Sequence, residues 1–201
     1  MSALRAVNSP DDTTNAPTEA ADIEAYDMRI DPEARLLCAL MWTDADTATG
    51  QIAKTIEFLT EADFAHYAHG RLFGLIQAQH TAGEPMDATI VAAKADAAGA
   101  TGREGWPGGK TPQMHILEVA SLQAHTEQIT YLAELVVGRS YRRQFQTMTT
   151  YLAQMAEEAA EDELFDIMAE QGRRQRIAKN RLGRFRQDIL GRSTDTATKE
   201  N

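Results

Sequence analysis

Two long amphipathic patterns occupy the C-terminal half of the chain. In the first, mostly apolar residues recur three or four positions apart: Val137, Tyr141, Phe145, Met148, Leu152, Met155 and Ala159. A second series keeps this spacing: Leu164, Met168, Gln171, Gln175, Ala178, Leu182, Phe185 and Ile189. Such spacing is typical of a coiled-coil seam, and an acidic break at residues 160–163 separates the two series. The pattern therefore predicts a long antiparallel helical hairpin over residues 125–190.

The N-terminal half predicts shorter helices. Asp31 followed by Pro32 and Glu33 is typical of a helix start, since Asp caps the free backbone N–H groups and Pro is tolerated in the first turn. This first helix carries an apolar face at four positions: Leu36, Leu37, Leu40 and Met41. A second short face predicts another helix: Ile52, Ile56 and Leu59.

The segment from Asp63 to Asp87 has a helix entry, an amphipathic helix and a helix stop. Its core-facing positions recur with helical spacing: Phe64, His69, Leu72, Phe73 and Ile76. Gly83 ends this helix, Pro85 prevents it from resuming, and Asp87 caps a fourth helix. We expect Asp63 to accept backbone N–H bonds at the start of the following helix, and His69 to pack and hydrogen-bond inside the protein.

The remaining segments complete an all-α prediction. Residues 99–109 contain five glycines and one proline and indicate a loop, and residues 112–122 predict a fifth helix. Residues 1–28 and 191–201 carry few large apolar side chains, so we predict a disordered leader and a disordered tail. Residues 29–124 would then form a small globular bundle. No segment alternates as a strand does, so we expect no sheet.

Composition narrows the class of protein. Of 201 residues, 43% are apolar and 25% are charged, and the formal net charge is -10. A chain this acidic is not expected to coat nucleic acid with its whole surface, so any such contact requires a local basic patch. The only cysteine, Cys38, cannot form an internal disulfide, and the longest apolar run, residues 36–42, is too short to cross a bilayer. We expect a cytoplasmic protein without a membrane contact.

Motifs for catalysis are missing from the sequence. No Gly-x-x-x-x-Gly-Lys-Ser/Thr loop is present, and residues 108–111 (Gly-Gly-Lys-Thr) lack the leading glycine that a phosphate-binding loop requires. His66 and His69 share a predicted helix face with Asp63 one turn earlier, but no further ligand follows at a known metal-site spacing. We therefore expect no enzymatic activity, no metal and no cofactor.

One segment is strongly basic, although the chain as a whole is acidic. Residues 172–186 contain no acidic side chain and carry seven basic ones: Arg173, Arg174, Arg176, Lys179, Arg181, Arg184 and Arg186. Three interpretations remain open at this point. The run forms a solvated face that balances acidic residues 157–163 of a partner hairpin, it contacts DNA phosphates, or it contacts an acidic protein surface.

The order of these motifs resembles the N-terminal domain of DnaB-type replicative helicases. Residues 33–38 stand where that family has Glu-Gln-x-x-Leu-Gly, with the Gln and the Gly replaced. Residues 63–69 retain the Asp, the Phe and the last His of its Asp-Phe-Tyr-x-x-x-His segment. Gly-Glu-Pro-x-Asp is intact at residues 83–87. The resemblance extends from about Pro32 to Asp166.

The resemblance implies a function without catalysis. In the family this domain pairs through its hairpins, builds the helicase collar and docks the primase. We therefore expect a homo-oligomer, a dimer or a trimer of dimers, that engages a replicative helicase, a loader or a primase. The expected hairpin or dimer seam comprises Tyr141, Phe145, Met148, Leu152, Leu164 and Met168. An expected partner surface comprises Arg139, Arg142 and Arg143.

Three alternatives remain open from the sequence. The hairpin can rest on the bundle of its own chain, or it can pack against a second hairpin. The chain can be a small DNA-binding or regulatory protein that uses the basic run 172–186 on DNA phosphates. It can also be one half of a split helicase whose ATPase is a separate polypeptide.

Overall fold

The computed structural model describes residues 27–44, 46–98 and 110–192. The predicted loop at 99–109 lies outside these residues, as do the predicted leader up to residue 26 and the predicted tail from residue 193. Within the described ranges there are seven α-helices and no strand, which confirms the all-α prediction. The helices are α1 (Pro32–Met41), α2 (Gln51–Phe58), α3 (Tyr67–Ala82), α4 (Ala88–Ala97), α5 (Pro112–Ala120), α6 (Ile129–Glu158) and α7 (Leu164–Asp188).

The predicted capping residues define several helix ends. The Asp31 carboxylate accepts the N–H of Glu33 at the start of α1, and the Asp87 carboxylate accepts the N–H of Thr89 at the start of α4. Gly83 ends α3 in the left-handed conformation, with φ of 67°, which an L side chain rarely adopts. Helix α5 ends two residues before the predicted boundary at residue 122. Two short 3-10 turns, Glu61–Asp63 and Thr126–Gln128, precede α3 and α6.

The core surrounds α1. Nine of the ten residues of this helix are fully or almost fully buried, because α3, α5 and α6 all pack against it. Side chains from α2 to α5 complete the core, and Phe185 of α7 and Ile189, directly after that helix, also belong to it. The root of the hairpin is therefore built into the bundle. The division of the chain at residue 124 stays a prediction.

Helices α6 and α7 form the predicted antiparallel hairpin. At a rise of about 1.5 Å per residue, α6 is about 45 Å long. The turn at residues 159–163 joins the two helices, and Glu134 near the start of α6 pairs with Arg186 near the end of α7 at 2.9 Å. None of the described helices is long and apolar enough to span a membrane.

Candidate interaction surfaces

A buried polar cluster joins the start of α1 to α3. The Nδ1 atom of His69 lies 3.2 Å from Oε2 of Glu33 and 3.6 Å from Oδ2 of Asp31, and all three side chains are buried. The Glu33 carboxylate also accepts the backbone N–H groups of Ala65 and His66. Burial opposes ionisation of Glu33, but the hydrogen bonds from His69 and the two N–H groups outweigh it and lower the pKa of Glu33.

Two arginines of α6 complete this cluster. Arg139 Nη1 lies 3.2 Å from Oδ1 of Asp31, and Arg143 Nη1 lies 3.6 Å from Oε1 of Glu33. The donor atoms of Asp31, Glu33 and His69 lie within 4.8 Å of one another, a geometry in which a metal ion fits. Each carboxylate already faces a guanidinium, however, so a divalent cation would add uncompensated charge to a buried site. The cluster is an ion-pair network that joins α1, α3 and α6.

His115 of α5 extends the same cluster. Its ring stacks on that of His69, with centroids 5.3 Å apart and an interplanar angle of 19°, and its side chain is fully buried. Burial disfavours the charged imidazolium, and the electrostatic interaction with the neighbouring His69 acts in the same direction. Together they lower the pKa of His115 to about 4. His115 is therefore neutral at physiological pH.

Asp63 anchors the other helix of the hairpin. Its two carboxylate oxygens lie 2.6 and 2.7 Å from the guanidinium of Arg181, which also donates to the carbonyl of Phe58 and lies over the Phe58 ring at 4.7 Å. The same carboxylate accepts the N–H of Thr60 at 2.9 Å. Arg143 adds a bond of 2.5 Å to the Asp63 carbonyl.

These contacts correct three predictions. Asp63 does not cap α3, because it closes a capping box with Thr60 at the start of the 3-10 turn, and His66 occupies the position before α3. Arg181 does not belong to an outward-facing basic surface, since its guanidinium binds the Asp63 carboxylate and the Phe58 carbonyl of the bundle. Arg143 is likewise two-thirds buried and faces the bundle. Of the other residues in the Asp63 to Asp87 segment, His69 is fully buried, Phe64 stacks on Phe73, and Gly83, Pro85 and Asp87 form the link to α4.

The predicted seam residues divide into two groups. Four are partly buried: Tyr141, Met148, Leu152 and Leu164. Phe145 and Met168 remain 46% and 52% exposed, although they occupy seam positions of the heptad pattern. The intramolecular hairpin thus leaves part of its apolar stripe in water.

An open groove of about 650 Å³ runs along this exposed stripe. Its lining is apolar at four positions and charged at four others, with Gly138 between them: Leu135, Tyr141, Phe145, Leu182, Glu134, Arg139, Arg142 and Arg186. Leu135 is 56% exposed. The groove lies between the two hairpin helices and combines an apolar floor with a surplus of arginine.

The basic residues of α7 differ in their partners. Arg173 and Arg174 pair with Glu170 of the same helix and lower the pKa of that carboxyl group. Arg186 pairs with Glu134 across the hairpin. Three are exposed and form no ion pair with any residue that the structure describes: Arg176, Lys179 and Arg184. Arg142 on α6 is likewise exposed and forms no ion pair with a described residue.

Sequence reasoning did not identify the polar cluster. It treated Asp31 and Glu33 only as residues of a helix start and gave His115 no role. The signal that was available is the presence of two acidic residues at the beginning of a helix in which Arg35 is the only other charged residue. Such carboxylates become buried with the helix and need cationic or hydrogen-bonding partners, which α3 and α6 supply.

Comparisons with known proteins agree with this fold. The family model described as the DnaB-like helicase N terminal domain matches residues 27–154. The crystal structure of the N-terminal domain of DnaB helicase from Mycobacterium tuberculosis superimposes with a TM-score of 0.58. At 23% sequence identity, the match covers 72% of this chain and 94% of that one. No curated protein matches the chain by sequence. The family match spans well over half of the sequence, and the chain therefore belongs to the family of DnaB-like helicase N-terminal domains.

Proposed function

We propose that this protein is a non-enzymatic interaction module of DNA replication. It self-associates through the exposed face of its hairpin, as a dimer or a trimer of dimers, and docks a replicative helicase, a loader or a primase. The family to which the chain belongs is the non-catalytic part of a helicase, which supports a role without enzymatic activity. The observation that carries the self-association is the groove at Phe145.

Water-exposed apolar area favours pairing of two hairpins. Leu135, Phe145 and Met168 are each about half exposed, and burial of such area contributes roughly 25 cal/mol per Å². Phe145 and Met168 also keep the heptad spacing of the seam, so a second pair of helices can pack there as in a four-helix bundle. Isolated exposed apolar residues are ordinary, but Leu135 and Phe145 line the same groove, and an exposed apolar groove is typical of an interaction site.

Charge along the hairpin favours an antiparallel pair. The tip is acidic: Glu157, Glu158, Glu161, Asp162, Glu163 and Asp166. The groove nearer the root contains Arg139, Arg142 and Arg186. An antiparallel arrangement sets the acidic tip of one copy beside the basic root of the other. A parallel arrangement would bring the two acidic tips together, at a cost in repulsion.

Substitution of Phe145 by Asp tests the self-association. A carboxylate in the middle of the groove would have to be buried without a partner, so we expect this variant to sediment as a monomer under conditions in which the wild type associates. Gln146→Asp is the matched control, since it adds the same charge one residue further on, outside the groove lining. Circular dichroism should show both variants folded. A monomeric wild type at high micromolar concentration would contradict the proposal, as would an intact oligomer in Phe145→Asp.

Docking is tested with purified partners. We expect the protein to bind at least one of the host's helicase motor, helicase loader and primase in isothermal titration calorimetry. The Phe145→Asp and Gln146→Asp pair then separates docking that requires the oligomer from docking on a single chain. If all three purified proteins fail to bind, the replication role is wrong even where self-association holds.

A further inference from the structure

We propose that the outer face of α7 is a binding site for the phosphate backbone of nucleic acid. This site is separate from the groove that the proposed self-association uses. It is formed by Arg176 and Arg184, supported by Arg173 and Asn180. Nothing in the proposed module function requires it.

The helical geometry places these residues on one stripe. At about 100° per residue, Arg173, Arg176 and Arg184 lie within about 80° of one another around the helix axis, and the stripe is about 16 Å long. Asn180 falls between them on the same side. The seam positions Gln175 and Leu182 lie on the opposite side of the helix, so the stripe points away from α6.

The stripe is exposed and rich in hydrogen-bond donors. Arg173 is 68% exposed but pairs with Glu170, and Arg176, Asn180 and Arg184 are all exposed. No acidic residue occurs between residues 171 and 187. Arg176, Lys179 and Arg184 form no ion pair within the described part of the chain, whereas Arg181 and Arg186 each have a carboxylate partner there. The protein therefore keeps unneutralised guanidinium groups on this face alone of α7.

The composition of the stripe favours a polyanion over a protein surface. The centre of a protein–protein interface is usually depleted of charge and enriched in aromatic side chains, but the only large apolar residue on this stripe is Ile177. Phosphate contacts are made by Arg and Lys together with Asn and Gln side chains. Arg and Asn side chains occur here, and neither Arg176 nor Arg184 has a carboxylate partner in the described part of the chain. A row of phosphates is the partner that matches this row of cations.

The site and the self-association groove involve different sides of α7. The groove contains Leu182 and Arg186, neither of which belongs to the stripe. Binding of nucleic acid can thus coexist with pairing of hairpins, and each can be removed by its own substitutions. An acidic tip from a second copy is the competing occupant, and the experiment distinguishes it.

The test uses the full chain and a fluorescently labelled DNA of mixed sequence, as a duplex and as a single strand. Binding is measured by anisotropy at several salt concentrations between about 50 and about 200 mM, the range over which phosphate contacts weaken strongly. We expect Arg176→Glu/Arg184→Glu to abolish the binding. Arg176→Gln/Arg184→Gln, which removes the two contacts without repulsion, should reduce the slope of log affinity against log salt by about 2.

Lys54→Glu/Arg71→Glu is the matched control, because both residues are exposed on the bundle and the change in net charge is the same. This variant should bind as the wild type does. The proposal is overturned if the control and the stripe variant lose binding equally, or if the wild type binds neither DNA at the lowest salt. It is also overturned if the stripe variant dissociates the oligomer in sedimentation, which would assign the stripe to the acidic tip of a second copy. Phe145→Asp should retain DNA binding per chain. A result that contradicts the self-association therefore leaves the proposed nucleic-acid site intact.

Discussion

At the scale of single residues, Glu33 holds three parts of the chain together. Its carboxylate contacts His69, the backbone N–H groups after Asp63, and Arg143 of α6. A buried carboxylate is costly unless nearly all of its lone pairs are satisfied, and here they are. Because Glu33 belongs to α1 and its partners lie in α3, in the segment just before α3, and in α6, it fixes the relative positions of these three helices.

His115 gives the protein an acid-sensitive stability. Its pKa is lowered from 6.5 to about 4 in the folded protein, so the unfolded chain binds a proton between these values that the folded protein does not. The free energy of unfolding should therefore fall as the pH is lowered from about 6.5 to about 4, by on the order of 3 kcal/mol. Below that window the lowered pKa of Glu33 acts in the same direction. Urea denaturation at a series of pH values measures this loss.

His115→Phe should flatten the stability profile between pH 6.5 and 4, since the aromatic ring can still stack on His69 but cannot bind a proton. The control is His125→Gln, because His125 is exposed. That variant should keep the slope of the wild type. An unchanged slope in His115→Phe would show that another group is responsible for the acid sensitivity.

At the scale of helices, local sequence patterns predicted much of the structure. The heptad spacing predicted α6 and α7 and the acidic turn between them, and the residues Asp31, Gly83 and Asp87 predicted helix ends. These features depend on neighbours within a few positions, such as the N–H groups that a cap satisfies. The spacing of apolar residues also indicates which face of a helix becomes buried.

Partners of the charged residues could not be predicted in this way. Arg181 reaches Asp63 across 118 positions of sequence, and Arg139 reaches Asp31 across 108. Within its own helix, Arg181 is indistinguishable from Arg184 or Arg176, because all three belong to one basic run. Only the angle at which the hairpin meets the bundle turns Arg181 inward and leaves the other two in water. That angle is set by tertiary packing and has no local signal.

The Arg181–Asp63 pair should contribute substantially to the attachment of α7. Asp63 is almost fully buried, so Arg181→Met would leave its carboxylate without its main cationic partner. We expect a loss of about 2–3 kcal/mol in the free energy of unfolding, less than for a wholly buried pair because Arg181 is 25% exposed. Urea denaturation measures it.

Arg184→Met on the same helix should change stability by no more than about 0.5 kcal/mol, since that side chain is exposed and has no partner among the described residues. Arg181→Lys should recover little of the free energy of unfolding that Arg181→Met loses, because an ammonium cannot bridge both oxygens of Asp63 and the Phe58 carbonyl in the same geometry. The double variant Asp63→Asn/Arg181→Met should be more stable than Arg181→Met alone. If it is not, the pair does not act as a unit.

At the scale of the whole molecule, the hairpin is fixed at its root and open along the rest of its length. Phe185 and Ile189 lie in the bundle core, and Arg139, Arg143 and Arg181 bind carboxylate or carbonyl groups of the bundle. The half nearer the tip has only its own two helices for packing. A protein with this distribution presents a stiff, partly apolar arm from a stable base. The arm can then take part in assembly without loss of the bundle fold.

The direction of hairpin pairing gives a prediction for the assembled protein. Spin labels on Glu161→Cys, at the acidic tip, should lie far apart in an antiparallel pair, by a distance of the order of the hairpin length, about 40 Å. A mixed sample with labels on Glu161→Cys in one copy and Arg142→Cys in the other should give a distinctly shorter distance. Cys38 is buried, and burial raises the pKa of its thiol, so it should react slowly with the label. The variant without an added cysteine provides the background. Double electron–electron resonance measures the distances, and two tip labels within about 20 Å of each other would instead require parallel hairpins with their acidic tips in contact.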